Sequence, residues 1–356
     1  MKYRNIICSI FYFLLLIVAF ATCKEVKKET PKAATESNDS QAPNLAISID
    51  GRMLKPWNDT PENLLSQEAR INEGRNNYLK KNNDIEPYIS YVRDFLKAGK
   101  IEHAIKICDK GFEKFPAQTD LLVLRAEAQL KGRQLQSAID DCWDAGKSLE
   151  SKGNYMGLVK QTGKDSIFNG SVAYKNYLTL SVAMQTKNDL SNAEKMYEIV
   201  SDFCTNPDLY TQTHYFQYQC YARATKKEEA KKLLANVEKT KSVLAPAKPY
   251  LQSLVFWKGE LTEAELVDLN VIPTTHDLAE DWIIKAYAVA VKQMLMNQTD
   301  AAKATLTKIV TTGFWDYYPY ILAEKDLAQL EGIVYKEPEH VNLNSNSKVN
   351  IKQKKK

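Results

Sequence analysis

The chain has 356 residues, of which 44% are hydrophobic and 26% are charged, and its formal net charge is +4. These values are typical of globular proteins and exclude a wholly disordered chain. Only 13 glycines are present, whereas average usage would give roughly 25, so the composition disfavours a turn-rich all-β fold. At about 150 residues per domain the length suggests two domains, unless the chain is built from repeats.

The N-terminus has the pattern of a targeting signal. Lys2 and Arg4 precede an apolar run at residues 6–21. This run is shorter than the roughly 20 residues that a membrane-spanning helix needs, and it follows a basic start. The pattern therefore predicts a signal peptide over residues 1–22.

The end of this signal carries the sequence Phe20-Ala21-Thr22-Cys23, which resembles the lipobox of bacterial lipoproteins. That resemblance implies a lipidated Cys23 and a membrane-anchored location in the bacterial cell envelope. Two alternatives remain open: Ala19-Phe20-Ala21 also fits the site of ordinary signal peptidase, which gives a secreted or periplasmic protein, and the apolar run is otherwise an uncleaved anchor. Residues 24–45 are polar and contain no aromatic side chain, which predicts a flexible tether over residues 23–48.

From Ile85 onward, apolar residues recur at helical spacing in two segments that are separated by a turn at Gly99 and end at Pro116. Large and small residues alternate along this unit in a fixed order. Counted from Ile85, the pattern has Tyr88 at position 4, Tyr91 at 7, Val92 at 8, Phe95 at 11, Ala104 at 20, Cys108 at 24, Gly111 at 27 and Pro116 at 32. Ala138 and Cys142 repeat the positions of Ala104 and Cys108 after 34 residues.

This pattern resembles the tetratricopeptide repeat (TPR), a 34-residue helix-turn-helix unit. The resemblance implies an all-α fold, a right-handed superhelical solenoid of about five to six repeats over residues 49–332, with an insertion loop at about 149–168. A helix at about 318–330 is expected to be a polar-faced cap. Residues 333–356 are predicted to form a disordered, Lys- and Asn-rich tail. The sequences Thr312-Gly313-Phe314-Trp315 and 321–327 add a resemblance to secreted or lipid-anchored bacterial TPR proteins of unassigned function.

The chemistry-bearing residues form no recognised catalytic or metal pattern. The four histidines, His103, His214, His276 and His340, are spread along the chain. Cys204, His214 and Cys220 match no standard zinc spacing. Residues 157–165 imitate a phosphate-binding loop, but they have one residue too many before the Gly-Lys pair, and Asp165 replaces the Ser or Thr. We therefore predict no enzyme activity, cofactor or metal.

Aromatic residues near His214 and in the cluster 314–320 exceed what the repeats need, so they are interpreted as packing residues or as anchors at a recognition surface. The basic end of the tail is interpreted as solvated, and no nucleic-acid partner is expected.

The predicted function is that of an envelope scaffold or adaptor that binds a protein or peptide in a concave groove. In TPR arrays, first-helix positions 2, 5, 9 and 12 tend to face this groove. These positions hold Glu86, Ile89, Arg93, Leu96, Asp120, Val123, Glu127 and Leu130. The alternative is a glycan- or small-molecule-binding lipoprotein. A groove of mixed charge favours peptides, a groove of Tyr and Trp favours glycans, and an enzyme requires His103 or His214 beside a carboxylate.

Overall fold

The computed structural model describes residues 46–337, apart from 58, 117, 159–169 and 225. The predicted signal peptide, Cys23 and most of the tether and tail lie outside these residues. The described part contains fourteen α-helices and no strand, which confirms the all-α fold class. The helices are α1 (Pro61–Lys80), α2 (Glu86–Lys97), α3 (Ile101–Lys114), α4 (Thr119–Lys131), α5 (Leu135–Leu149), α6 (Val172–Thr186), α7 (Leu190–Asp202), α8 (Pro207–Arg223), α9 (Lys227–Ala235), α10 (Lys248–Lys258), α11 (Glu263–Leu266), α12 (His276–Leu295), α13 (Thr299–Thr311) and α14 (Tyr318–Leu330).

Several helices begin where the sequence supplies an N-cap. Thr60 accepts a hydrogen bond from the backbone N–H of Asn63, and Pro61 occupies the first turn, where it loses no intrahelical bond. Ser171 and Asn206 cap α6 and α8 in the same way. Helix α1 has no counterpart among the repeats expected from the sequence, although its Thr-Pro start is a recognisable signal.

The helices pack as pairs, and each pair also contacts the next. Within the pairs, α2 packs on α3, α4 on α5, α6 on α7, and α12 on α13. The first helices also contact one another in order, from α2 to α4, α6, α8, α10 and α12. We call these six helices the inner row. These contacts place the first helices of successive pairs side by side.

Helix α14 lies against this inner row. It packs on α12 and α13 and also contacts α6, which is far away in the sequence. Ten consecutive residues of α14, from Pro319 to Ala328, are buried. The expected polar-faced cap is therefore wrong, because α14 has no solvated face along this stretch. Burial extends to three charged residues in succession, Glu324, Lys325 and Asp326.

Three ends of inner-row helices each supply a partner for one of these buried charges. Arg133, which follows α4, pairs with Glu324, and Asn188, which follows α6, accepts a hydrogen bond from the Lys325 ammonium. Arg223, the last residue of α8, binds Asp326 through two hydrogen bonds of 2.7 and 2.8 Å. Buried charges are tolerated only when they are paired, so these contacts account for the position of α14.

Arg133 and Asn188 adopt left-handed backbone angles, with φ of 62° and 64°. The corresponding turn after α2 has Gly99 at φ 65°, and the turn after α10 has Gly259 at φ 91°. Glycine adopts this conformation without strain, whereas another residue does so at a cost of roughly 1–3 kcal/mol. At these two turns the side chain is required for its contact with α14, which offsets the strain.

The Asp326 carboxylate is held ionised within the core. Burial raises its pKa, but Arg223 and Lys325 outweigh burial, so the pKa of Asp326 is lowered overall. The Tyr287 hydroxyl donates a further hydrogen bond of 2.7 Å to Asp326. Two charge-assisted hydrogen bonds from one guanidinium are among the stronger contacts available to a carboxylate.

The segment before α1 completes the closure between the two ends of the described chain. The Ile49 backbone N–H donates to Glu324, and the Trp315 indole N–H donates to the Lys55 carbonyl at 2.7 Å. Trp57 packs over Gly99 so closely that a Cβ at this position would overlap the indole ring. The first and last parts of the described chain are thus joined directly.

We predict that Glu324→Ala lowers the free energy of unfolding by about 3–5 kcal/mol, because it leaves the Arg133 guanidinium buried and unpaired. The side chains of Arg133 and Glu324 are 0% and 1% exposed. Urea unfolding followed by circular dichroism measures the change.

The matched control is Asp144→Ala. It also breaks an ion pair, but the side chains of Lys147 and Asp144 are 75% and 60% exposed, so the stability should stay unchanged within error. If both substitutions changed the free energy of unfolding equally, the Arg133–Glu324 pair would not be the contact that stabilises α14 in its position.

Candidate functional site

The eight residues expected to line a groove differ in their burial and in their contacts. Ile89, Leu96, Val123 and Leu130 are buried apolar residues of the core. Glu86 is exposed. Their shared position in the repeat pattern therefore does not give them a shared environment.

Asp120 is buried, and it accepts hydrogen bonds from the Tyr155 hydroxyl at 2.9 Å and from the Leu158 backbone N–H at 3.1 Å. Both donors belong to the predicted insertion loop. Asp120 therefore fixes the beginning of this loop to α4. Of the eight residues, Arg93, Leu96 and Glu127 meet around a common cavity.

That cavity has a volume of about 770 Å³ and lies among α1, α2, α4, α6, α12 and the segment before α14. We call it the polar cavity. Its basic lining residues are Arg70, Arg93, Lys97, Lys131 and Lys175, and its acidic ones are Asp59, Asp94, Glu127, Asp277, Glu280 and Asp316. No Tyr, Trp or Phe is found among the described lining residues, and leucine is the only large apolar type. The volume is within the range of ligand pockets, although the lining is unusually charged.

One ion pair inside the cavity is already formed. Lys131 and Glu127 lie one turn apart on α4, with 3.0 Å between the ammonium and the carboxylate. Burial lowers the pKa of Lys131, but Glu127 outweighs it and the net shift is upward. Burial raises the pKa of Glu127, and Lys131 and Lys175 reverse this effect. Both groups are therefore charged at neutral pH.

Lys175, on α6, lies beside this pair without sharing it. Burial and the nearby positive charges of Arg93, Lys131 and Lys97 together lower the pKa of Lys175 to about 8, against the attraction of Glu127. No side-chain hydrogen bond contributes to this shift. Lys175 is thus a half-buried amine whose attracting carboxylate, Glu127, is already paired with Lys131.

Glu280, on α12, is an acidic group whose pKa is shifted upward, whereas that of Lys175 is shifted downward. Burial and the negative charge of Asp316 raise the pKa of Glu280, against His276 and Lys131, and the net result is a pKa of about 7. No hydrogen bond contributes to the shift. The carboxyl is therefore near its titration point at neutral pH, which is uncommon for an acid with an ordinary pKa of about 4.3.

His276, at the start of α12, joins three parts of the chain at the edge of the cavity. Its Nε2 lies 3.0 Å from the Asp316 carboxylate, and its Nδ1 lies 2.9 Å from the Tyr317 hydroxyl. The Trp57 ring stacks on the imidazole with centroids 4.5 Å apart. Burial lowers the pKa of His276, but the hydrogen bond and charge of Asp316 outweigh it and raise the pKa.

The Tyr317 hydroxyl is also 3.0 Å from the His276 carbonyl, to which it donates. The His276 ring thus contacts Asp316 through one nitrogen and Tyr317 through the other. His276 thereby holds Trp57 and the segment before α14 together.

The other candidate residues lie apart from this cavity. His103 packs against Phe95, and His214 packs near Tyr210. Cys204 and Cys220 are buried free thiols, as are Cys108 and Cys142, so the two predicted core positions are buried. Among the described residues, no group of three or more His, Cys, Asp and Glu side chains has a metal-binding arrangement. His340 and most of the imitated phosphate loop lie outside the described part.

The aromatic cluster before α14 is used for packing. Trp315 is buried and meets Trp57 edge to face, with centroids 5.3 Å apart. The Tyr320 hydroxyl donates to the Val310 carbonyl at 2.8 Å. Tyr215, near His214, likewise donates to the Ile284 carbonyl at 2.8 Å. Aromatic rings with satisfied polar atoms in the core are not available as anchors for a ligand.

In comparisons with known proteins, the chain matches no protein-family model and no curated protein. Within residues 46–337, as far as they are described, no helix has both the length and the apolarity needed to cross a membrane. The interpretation of the polar cavity therefore depends on its own residues.

We predict that Glu280→Gln stabilises the protein by about 2–3 kcal/mol at pH 8 and by less than about 0.5 kcal/mol at pH 4. A carboxyl with a raised folded-state pKa favours folding fully only below its unfolded pKa, and this contribution is lost as the pH rises through about 7. Glutamine resembles the protonated acid at every pH. Chemical denaturation across this pH range measures the difference.

Glu263→Gln is the control, because Glu263 is an exposed acid outside the cavity. A pH-independent effect of Glu280→Gln would show that the Glu280 carboxyl is not desolvated as described.

Proposed function

We propose that the protein is a non-enzymatic binding protein, a TPR-like solenoid whose polar cavity receives a charged segment of a protein partner. The single observation that carries this proposal is the lining of the cavity. Side chains of both signs surround it, and described aromatic side chains do not. A peptide offers carboxylates, ammonium groups and backbone amides to such a surface, whereas glycan sites typically present the flat apolar faces of aromatic rings.

Close helix packing supports the TPR-like, right-handed solenoid. Ala104, Ala126 and Ala138, which stand at small-residue positions of the repeat, are fully buried. A Cβ on Gly111 would lie 2.5 Å from the Leu121 side chain and 3.3 Å from that of Tyr88. Such approaches require small residues and explain why size as well as polarity recurs in the repeat.

The state of the histidines supports a non-enzymatic role. Burial and the positive charge of Lys241 lower the pKa of His214, and no carboxylate contributes to that shift, whereas an enzyme was expected to place a carboxylate beside this histidine. His276 meets Asp316 at the cavity, and its two ring nitrogens contact the protein's own Asp316 and Tyr317 side chains.

The location is part of the same proposal. We infer that Cys23 is lipidated and that the following tether holds the repeats at a membrane of the bacterial envelope, where an adaptor meets its partner. The lipobox resemblance and the polar composition of residues 24–45 support this inference. Multiple acyl chains would anchor the protein without a spanning helix.

We predict that Ser90→Trp abolishes capture of the protein partner. Ser90 is half-buried on α2 and lines the polar cavity, so the indole would fill space that a partner segment needs. The tagged, acylated full-length protein is purified from its own membrane, and the recovered proteins are identified by mass spectrometry.

Ser151→Trp is the matched control, because Ser151 is exposed in the turn after α5 and does not line the cavity. Recovery of the same partners with both variants would place the binding surface elsewhere. Recovery of no reproducible partner with the unsubstituted protein would contradict the adaptor function.

A separate prediction concerns the anchor. Cys23→Ala should move the protein from the membrane fraction to the soluble fraction, because the modified thiol is lost. Fractionation followed by immunoblotting measures this. Cys8→Ala, within the predicted signal, is the control and should leave the protein in the membrane; unchanged fractionation of Cys23→Ala would contradict lipidation.

A further inference from the structure

Two ionisable groups in the polar cavity have no hydrogen-bond or ion-pair partner of their own among the residues that the structure describes. Lys175 is contributed by α6 and Glu280 by α12, and both are surrounded by protein yet open on the cavity. Buried charged groups are normally paired, because an isolated charge is costly to remove from water. Two such groups of opposite sign facing one cavity indicate a ligand that supplies both partners.

The neighbours of Lys175 are already committed to other contacts or repel it. Arg93 and Lys97 approach from α2 and Lys131 from α4, and all three lower the pKa of the ammonium. Glu127 is the anion that attracts it, but this carboxylate is bound to Lys131 at 3.0 Å. The region around Lys175 therefore carries an excess of positive charge, which favours an anionic group from a ligand.

The neighbours of Glu280 leave it in need of a hydrogen-bond donor. Asp316 and Asp281 repel its ionised form. His276 attracts it, but both imidazole nitrogens are already in contact with Asp316 and Tyr317. Lys131 is held by Glu127. A donor brought by a ligand would therefore stabilise the Glu280 carboxylate.

We propose that the polar cavity binds an acidic peptide segment, with a Glu or Asp carboxylate of the peptide on Lys175 and a backbone N–H of the peptide on Glu280. This proposal rests on the proposed function, since it names the chemistry of the partner segment at that same cavity. A peptide meets both requirements with one chain, because every residue except proline carries a backbone donor.

A free anion meets these requirements less well than a peptide. Inorganic phosphate would satisfy Lys175, but its P–OH donor could reach Glu280 only by bringing the negative charge of the anion close to Glu280 and Asp316. The acidic part of the lining therefore selects against a small, highly charged anion and in favour of a peptide that carries its charge on separate side chains.

Specific binding at Lys175 should be accompanied by proton uptake, which non-specific association with the protein surface would not produce. Lys175 has a pKa of about 8, so about half of the molecules lack this proton at pH 8. A carboxylate placed beside the ammonium raises its pKa. Binding at pH 8 should therefore take up about half a proton, and the uptake should disappear when Lys175 is replaced.

The experiment is calorimetric titration of the full-length protein at pH 8 in two buffers of different ionisation enthalpy. The probes are a blocked tetra-glutamate peptide, a blocked tetra-lysine peptide and inorganic phosphate. We expect the glutamate peptide to bind with proton uptake, and the lysine peptide and phosphate to bind at least tenfold more weakly.

Lys175→Met should weaken the glutamate peptide at least tenfold and abolish the proton uptake. Its fold is checked by its unfolding midpoint, which should match or exceed that of the unsubstituted protein because a half-buried unpaired charge is removed. The matched control is Lys147→Met at an exposed site, which should leave affinity and uptake unchanged. Glu280→Gln should weaken the peptide by a smaller factor.

The proposal is overturned if the glutamate peptide does not bind, if Lys175→Met binds it equally well, or if phosphate binds as tightly as the peptide. Failure of the ligand chemistry can be told apart from failure of the adaptor function. If Ser90→Trp still abolishes partner capture while these titrations fail, the cavity binds a partner of different chemistry. If capture also fails, both proposals fall.

Discussion

The buried contacts between α14 and the ends of three inner-row helices are the constraint on which the rest of the described structure depends. Arg133, Asn188 and Arg223 each meet one of three successive charged residues of α14. Since α14 also contacts α6, α12 and α13, these contacts close the row of helices around one central helix. The polar cavity lies beside this closure, between α1 and the helices α2, α4, α6 and α12, and Asp316 of the segment before α14 lines it.

Because α14 covers part of the inner row, the structure differs from the open concave groove that was expected from the repeats. In an open repeat array, first-helix residues are free to contact a partner along the whole inner surface. Here four of the eight residues expected on that surface are apolar and buried. Arg93 and Glu127 keep contact with open space, and they do so beside Lys175 and Glu280. Open, charged space is therefore concentrated in the polar cavity, and this is why the proposed partner is a short segment with separated charges.

The sequence predicted the helices of the repeats and their pairing, but it did not predict the long-range contacts of α14 with the ends of α4, α6 and α8. Apolar spacing around Gly99 predicted the pair α2 and α3, and the recurrence of Ala104 and Cys108 at Ala138 and Cys142 predicted the next pair. The spacing of residues in the sequence could not predict that Glu324, Lys325 and Asp326 are buried, because their partners are between 103 and 191 residues away. The polar cavity was not predicted from the sequence for the same reason. Within their own helices, Lys175 and Glu280 have the pattern of ordinary surface charges. Arg133 and Asn188, which occupy turn positions where Gly99 and Gly259 stand elsewhere, were the available signal.

The contact between Ile49 and Glu324 joins residues 275 positions apart. Repeat arrays usually fold and unfold in segments, because each unit contacts only its neighbours. A chain whose first described residues are bound to its last helix loses that independence, since neither end is complete before the other has formed. Such long-range contacts slow folding, because a long stretch of chain must close before they form. The described part of the protein should therefore fold and unfold as one cooperative unit.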